Sequence, residues 1–420
     1  MTSKLEDLIA ELCPNGVEYK KIGDIATLVT GGTPKTSYAE YWEGGNIPWM
    51  ASGEVNFGIV SKTEKKITEA GYNSSNTKML PANTVVIALA GQGKTRGKVA
   101  LTKIPLCTNQ SLCGICVDYT VNSKFLYHFL SSKYIELRAI SSGDGTRGGL
   151  NLRIISNFEI PVPPLDVQAE IVRILDTFTE LTAELTAELT ARKKQYEYYR
   201  DTLLTFDDNN PLHSLIQRYC PNGVEYKKLG DIASVDRGGN LQKKDFCEHG
   251  IPCIHYGQIY TKYGLFASKS YTFIDSECAS KQRFAHKNDI VMAVTSENIE
   301  DVCKCVAWFG EEDAAVSGHS AIIRHNQNTK YLVYYFHSSM FFLQKRKLAH
   351  GTKVIEITPS DLLNVTIPVP PLEVQRQIVQ ILDRFDALCN DLTQGLPAEI
   401  EARRKQYEYY RNQLLTFKRA

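Results

Sequence analysis

Few residues of this 420-residue chain have types and spacing that come near to catalytic chemistry. GQGKT at 91–95 invites a phosphate-cradling reading, but the first glycine of a GxxxxGK[ST] pattern would fall on Ala88. The RGKVALTK that follows reads as a strand and not as a helix start, so nucleotide binding is not expected there. Cys113 and Cys116 with Cys107, and the pair Cys303 and Cys305, suggest zinc only weakly. Neither set has a second pair at the usual spacing, and Cys113 lies in an apolar strand-like run. Buried free thiols are the expectation. VPPL at 162–165 and 369–372 is not the Asp/Asn-Pro-Pro-aromatic pattern of amino-methyltransferases, and no glycine-rich cofactor loop precedes it. No acid–base or nucleophile constellation stands out, and helicase and nuclease motifs are missing. The chain is expected to catalyse nothing alone and to bind no metal or cofactor itself.

What remains is the chemistry of binding. The net charge of +1 excludes a uniformly basic coat, so any nucleic-acid face must come from segregated charge. Two windows have that character. Between Glu69 and Asp118 there is no acid, while Lys78, Lys94, Arg96, Lys98 and Lys103 lie inside; between Asp313 and Glu356 there is none against Arg324, Lys330, Lys345, Arg346, Lys347 and Lys353. The plainer reading is that such windows are half-buried strands, where acids are rare anyway. Gln92, Lys94, Arg96 and Lys98 sit on the glycine-rich stretch 91–98, able to approach a phosphate backbone closely while Arg96 reaches a guanine edge. Asn109 and Gln110 supply amides suited to adenine, and Arg147 lies on a second flexible stretch, 141–151. Farther along the chain the candidates are Lys243, Lys244, Tyr256, Gln258, Arg283, His319 and Lys353. Phosphate contacts would position such a surface, and a few base contacts would give it specificity.

These candidates are distributed over a repeat. CPNGVEYKK starts at Cys13 and again at Cys220, and PVPPL starts at Pro161 and again at Pro368, each 207 residues on. Even the short amphipathic helix expected around Leu5, Leu8 and Ile9 is echoed at Leu212, Leu215 and Ile216. Beyond the second motif the offset becomes 211, so the second copy is four residues longer. The intervening segments, 28–159 and 235–366, resemble each other little. Each has β-type runs (84–90 and 114–117; 289–294 and 321–323) between Gly, Asn and Pro turns, and one aromatic-rich helical stretch, 126–140 or 331–349. Two diverged α+β heads on a common frame follow.

Each head is succeeded by a long helical stretch. In the first, Val167, Ile171, Ile174, Phe178, Leu181, Leu185, Leu189, Tyr196, Tyr199, Leu203 and Phe206 are spaced by threes and fours, with one longer step, the pattern of a coiled-coil seam. A span of about 41 residues would be roughly 60 Å long, too long for one small head, and its natural partner is the other copy. The tetrad TAEL occurs twice in tandem at 182–189, a stutter in the heptad pattern. The second copy has Gly395 and Pro397 at this place, which should kink or split it, with Pro397 opening a new helical stretch. Leu388, Leu392, Tyr407 and Tyr410 continue the seam there.

Composition agrees with a soluble two-domain chain: 43% hydrophobic residues, no apolar run approaching a membrane span, and an acidic amphipathic start instead of a signal peptide. Eleven cysteines without such a signal suggest reduced thiols in a cytoplasm.

IPVPPLDVQAEIVRILD and its copy IPVPPLEVQRQIVQILD, the KQYEYYR-ended helices, GGTPKTSYAEYWEGGNIPWM and LNLRIISNFEIPVPP together resemble the specificity (S) subunits of type I restriction-modification systems, in the subgroup with TAEL spacer repeats. The resemblance covers essentially the whole chain. It implies an α+β fold with two globular target recognition domains joined by two long helices in an antiparallel coiled coil with an internal pseudo-twofold repeat. The segments would be a first recognition domain at 1–160, a central spacer helix at 161–210, a second recognition domain at 211–367 and a C-terminal spacer helix at 368–420. It also implies that each head reads half of a split double-stranded DNA site. Two methyltransferase (M) subunits would dock on the helices, bringing S-adenosylmethionine for adenine methylation, and restriction/translocase (R) subunits would bring ATP hydrolysis, Mg and cleavage. Leu181, Leu185, Leu189, Tyr196, Tyr199, Leu388, Leu392, Tyr407 and Tyr410 would serve as spacer and docking residues. The competing reading is a coiled-coil scaffold whose heads bind proteins and not DNA.

Overall fold

The computed structural model describes residues 3–91, 95–141, 149–391 and 393–420. The chain forms two compact units, Met1–Thr186 with Glu399–Ala420, and Ala187–Ala398. Each unit takes one head and stretches of both long helical segments.

In unit 1 a five-stranded sheet runs in the order Ala26–Thr30, Leu112–Val117, Val85–Ala88, Val99–Thr102, Ile59–Val60. All pairs are antiparallel except the last. Unit 2 repeats this strand for strand as Ala233–Arg237, Ser320–His325, Ile290–Ala293, Cys305–Trp308, Phe266–Ala267, again with only the last pair parallel. A smaller sheet accompanies each: Ile47–Met50 between Lys65–Ile67 and Cys107–Thr108 in unit 1, and Ile251–Ile254 between Thr272–Ile274 and Ala314–Val316 in unit 2, where a fourth strand, Arg283–Ala285, lies beyond Ala314–Val316. Two heads with little common sequence therefore share one topology. The inner strands VVIA, VALT, IVMA and CVAW are buried throughout. They are covered on both faces, so they read as unbroken apolar runs and not as alternating ones.

The aromatic-rich stretches each form two helices instead of one, Ser123–Ser132 with Tyr134–Ala139, and Thr329–Phe336 with Ser339–Leu348. Lys133 leaves the helical region at ψ 12°, and Ser338 starts a new helix by accepting a hydrogen bond from the Phe341 amide.

The repeated motifs pair with one another at the base of each head. Tyr19–Lys21 runs antiparallel to Glu159–Pro161, and Tyr226–Lys228 to Thr366–Pro368, with Tyr opposite Pro in both. The glutamine that follows VPPL is the second fastening. Buried Gln168 accepts from the Asn122 amide at 2.8 Å and donates to Pro163 O at 2.7 Å; buried Gln375 does the same with Asn328 at 3.0 Å and Pro370 at 2.8 Å. A third is Asp176, which pairs with Lys124 and His128, matched by Asp383 with Lys330 at 2.6 Å and the Tyr334 hydroxyl at 2.7 Å.

The first long helix, Leu165–Leu204, is continuous for 40 residues, through the TAEL tandem. The second is split, as Gly395 and Pro397 predict, into Leu372–Asn390 and Leu396–Leu414. Asp391 closes the turn between them by accepting from the Thr393 and Gln394 amides at 2.7 and 3.2 Å. A Cβ on Gly395 would lie 2.5 Å from Ala387 O, so only glycine fits. Pro397 is the second residue of the new helix, where its missing N–H costs nothing. In unit 2 the two helical segments run antiparallel: Arg192 and Lys193 face Cys389, and Tyr199 stacks on Phe385. In unit 1 Phe178 stacks on Tyr410, and Leu175 shares a core with Leu414 and Leu415.

Among the described residues no helix is long and apolar enough to cross a membrane, and no cluster of His, Cys, Asp or Glu could hold a metal ion. The cysteines are free thiols, Cys107, Cys113, Cys303 and Cys305 all buried, with burial pushing Cys113 up to about 12.

Candidate nucleic-acid interface

The turn entering the second strand of each large sheet brings the sequence candidates together. In unit 1 it is residues 109–111, where the Asn109 amide donates to Met50 O and the Leu89 amide to Ser111 O. In unit 2 it is residues 317–319, where the Ser317 amide donates to Ile254 O and the Val294 amide to His319 O. Asn109-Gln110-Ser111 and Ser317-Gly318-His319, unrelated as sequences, are thus one turn in one topology.

The cations beside the turns correspond as well. Arg283 lies opposite Val316 in the small sheet of unit 2. In unit 1 an isolated antiparallel bridge between Leu80 and Leu106 stands where that strand pairing would be, with Lys78 two residues before Leu80. Both side chains are exposed.

Unit 2 gathers the larger set around its turn. The His319 ring lies 5.0 Å from that of Tyr256, and its Nδ1 is 3.1 Å from Thr295 Oγ1. Tyr256 stands 4.6 Å from His255, which burial, then the charges of Lys243 and His319, hold below its ordinary value. Arg237 fastens the surroundings: it donates to Gly318 O at 2.8 Å, pairs with Glu356 at 2.5 Å, and its carbonyl accepts from Arg283 at 2.9 Å. Glu356 and Ile355 pair with Thr295 and Ser296, which carries the exposed Lys353 to the same neighbourhood. Lys243 and Lys244 are exposed on the short helix Lys243–Asp245. Arg237 was not singled out from the sequence, and only its position after an alternating strand could have signalled it.

Several candidates are committed elsewhere. Gln258 is buried, accepting from the His255 amide at 3.1 Å and donating to Thr272 Oγ1 at 3.1 Å; it starts a helix and does not reach outward. Asn109 is partly buried and accepts from the Ser111 amide, so its carbonyl oxygen shapes the turn, while neighbouring Gln110 is exposed and accepts from Thr33. Lys98 donates to Asn56 at 2.7 Å, and Arg96 is half-buried. Of the second acid-free window, Arg324 pairs with Asp236 and Asp289, Lys330 with Asp383, and buried Lys345 donates to Glu300 O and Val302 O. Only Arg346, Lys347 and Lys353 of that window face solvent without such ties. Gln92, Lys94, Arg147 and Leu392 lie outside the described residues.

On the long helices Leu181, Leu185 and Leu189 are half-buried. Tyr196, Tyr199, Tyr407 and Tyr410 turn inward within their units. Leu388 is exposed, and the inward position beside it is Cys389. The outward tyrosines of the repeated heptapeptide are Tyr198 and Tyr409, 66% and 62% exposed; they were not singled out, although both copies keep them.

A family model described as the type I restriction modification DNA specificity domain matches residues 14–192 and 221–402, one match for each half of the repeat. The chain belongs to that family. Among curated relatives, the EcoR124I/EcoR124II specificity subunit of Escherichia coli is 35% identical over 315 residues, covering 72% of both chains. A putative type I specificity subunit of Haemophilus influenzae is 33% identical over 311 residues, 71% of this chain and 73% of the other. The fold is that of a solved S subunit from M. genitalium (TM-score 0.53, 16% identity, 96% and 97% of the two chains). It is also that of a chain solved in work on assembly and conformational transition of the type I system (TM-score 0.63, 19% identity, 96% and 98%). The role of this specificity subunit is DNA sequence specificity, and it is non-catalytic by itself.

Proposed function

We propose that each head of this specificity subunit reads one half of a bipartite double-stranded DNA site, that the long helices set the unread gap, and that two M subunits dock on those helices. Lys78 with the 109–111 turn would serve one half-site, and Arg283, His319 and Lys353 the other. The M subunits would supply S-adenosylmethionine and methylate adenine, and R subunits would supply ATP-dependent cleavage. The observation that carries the reading is the boundary between the units, which falls between Thr186 and Ala187, inside the TAEL tandem. Residues added there lengthen the helix between one head's fastening and the other's without touching either. Exposed Tyr198 and Tyr409 offer repeat-related apolar contacts for the docking of two like subunits.

Each tetrad adds about 6 Å of helix, against about 3.4 Å per base-pair step. Inserting one TAEL after Leu189, with the chain coexpressed with its M subunit, should lengthen the gap by one or two base pairs and leave both half-sites unchanged. Methylome sequencing reads the outcome. An unchanged gap would overturn the spacer role, and a site with no second half would overturn the bipartite reading.

A further inference from the structure

Arg200 and Arg411 hold the same place in the two copies of KQYEYYR. Each guanidinium lies over the tyrosine four residues earlier, 5.8 Å from the Tyr196 centroid and 5.4 Å from that of Tyr407. The next residue differs. In unit 2 it is Asp201, which accepts from Arg200 Nε at 3.0 Å and from the Ser339 amide at 3.2 Å. In unit 1 it is Asn412, and Arg411 Nε is enclosed without a hydrogen-bond partner among the described residues. One repeat offers its arginine a carboxylate from the next residue; the other offers a neutral amide.

Arg411 and Asn412 line a cavity of about 550 Å³ in unit 1, with Lys98, Asn56, Ser131 and Glu408. Lys98 donates to the neutral Asn56 amide and, among the described residues, to no carboxylate. Glu408, the one acid among the described lining residues, is solvent-exposed, as Asn412 is, and accepts no hydrogen bond from Arg411 or Lys98 in its present rotamer, so that the two positions differ in reach and not in exposure. The cavity therefore holds two cations with no carboxylate partner among the described residues, one of them in a partly enclosed setting where charge is less screened.

We propose that this cavity binds an oxyanion of the phosphate class, which gives Arg411 the counter-charge that Asp201 gives Arg200. A free phosphate and a phosphate of the DNA backbone share this chemistry, and only the second source rests on the DNA reading of unit 1. Arg411 and Lys98 would be the charged donors, with the Asn412 amide beside them.

Asn412→Asp tests this, because it rebuilds the unit 2 arrangement in unit 1 with almost no change of shape. The full chain is heated with inorganic phosphate titrated at constant ionic strength. The wild type should show a saturable rise in Tm, and Asn412→Asp should fold without phosphate and lose that rise; Arg411→Gln is the second variant should the first fail to fold. DNA binding is then measured against salt. A fall of about one in the log–log slope for Asn412→Asp assigns the site to a backbone phosphate. An unchanged slope, with the phosphate effect still lost, assigns it to a free oxyanion. No saturable effect in the wild type, or an equal effect in both variants, overturns the proposal whatever becomes of the DNA reading.

Discussion

Tyr199 stacks on Phe385 with ring centroids 5.2 Å apart and planes 24° apart, and the repeat reproduces the pair as Tyr410 on Phe178 at 5.3 Å and 19°. Each pair joins the later part of one repeat's long helical segment to the earlier part of the other's. A double-mutant cycle on Tyr199 and Phe385, each changed to Leu, should give a coupling of about 0.5–1.5 kcal/mol in chemical denaturation. The same cycle on Phe178 and Tyr410 should match it. Strict additivity at both would mean that the rings only fill space.

Gln168 and Gln375 tie each head to its helix from within. Gln168→Leu leaves the Asn122 amide without its acceptor and should cost about 1–3 kcal/mol, confined to unit 1; Gln375→Leu should do the same in unit 2. Hydrogen exchange, read unit by unit, checks the confinement. Equal loss of protection in both units after either change would contradict it.

Glu170 gives a pH dependence. A hydrogen bond from Arg173 outweighs the upward push of burial and, with Lys4, holds its carboxyl at about 2, well below the ordinary carboxylate range. A carboxyl depressed by folding contributes stability in full above its unfolded range and loses it as pH falls towards the folded value. Unfolding measured between the ordinary glutamate range and about pH 2 should show an acid-side slope that Glu170→Gln flattens. The slope should survive unchanged if the Lys4–Glu170–Arg173 cluster carries no stability.

Lys78→Gln and Arg283→Gln should each weaken discrimination in one half-site only, by roughly tenfold to a hundredfold for a base contact. Methylation of DNA pools randomised in one half-site at a time is the measurement. A variant that lowers methylation of all sequences alike would mark its side chain as a phosphate contact instead.

The repeat, the long helices and the split at Gly395 were legible because each is written in local residues: verbatim blocks, three-and-four spacing, and a glycine beside a proline. The shared topology of the heads was not. Strands buried on both faces need only be apolar, so VVIA and IVMA keep a pattern while the sequence drifts. The acid-free windows misled in part for a related reason. Arg324 and Lys330 meet Asp236, Asp289 and Asp383, which are outside the window in sequence and beside it in space. Gln258 looked like an outward amide because nothing local reveals that the His255 amide and Thr272 claim it. Arg237 was missed because its partners, Gly318 and Glu356, come from turns far along the chain.

The chain's last residues close its first unit. The Val17 amide donates to Lys418 O at 2.8 Å, the Ala420 amide to Val17 O at 3.1 Å, and Leu414 and Leu415 lie in the core of the first head. During synthesis, at about 5–20 residues per second, unit 1 therefore waits with an open seam while the whole of unit 2 is made. All of unit 2, which ends at Ala398, is made before residues 399–420 are added. The head made first is thus the one whose unit is completed last, when residues 399–420 arrive.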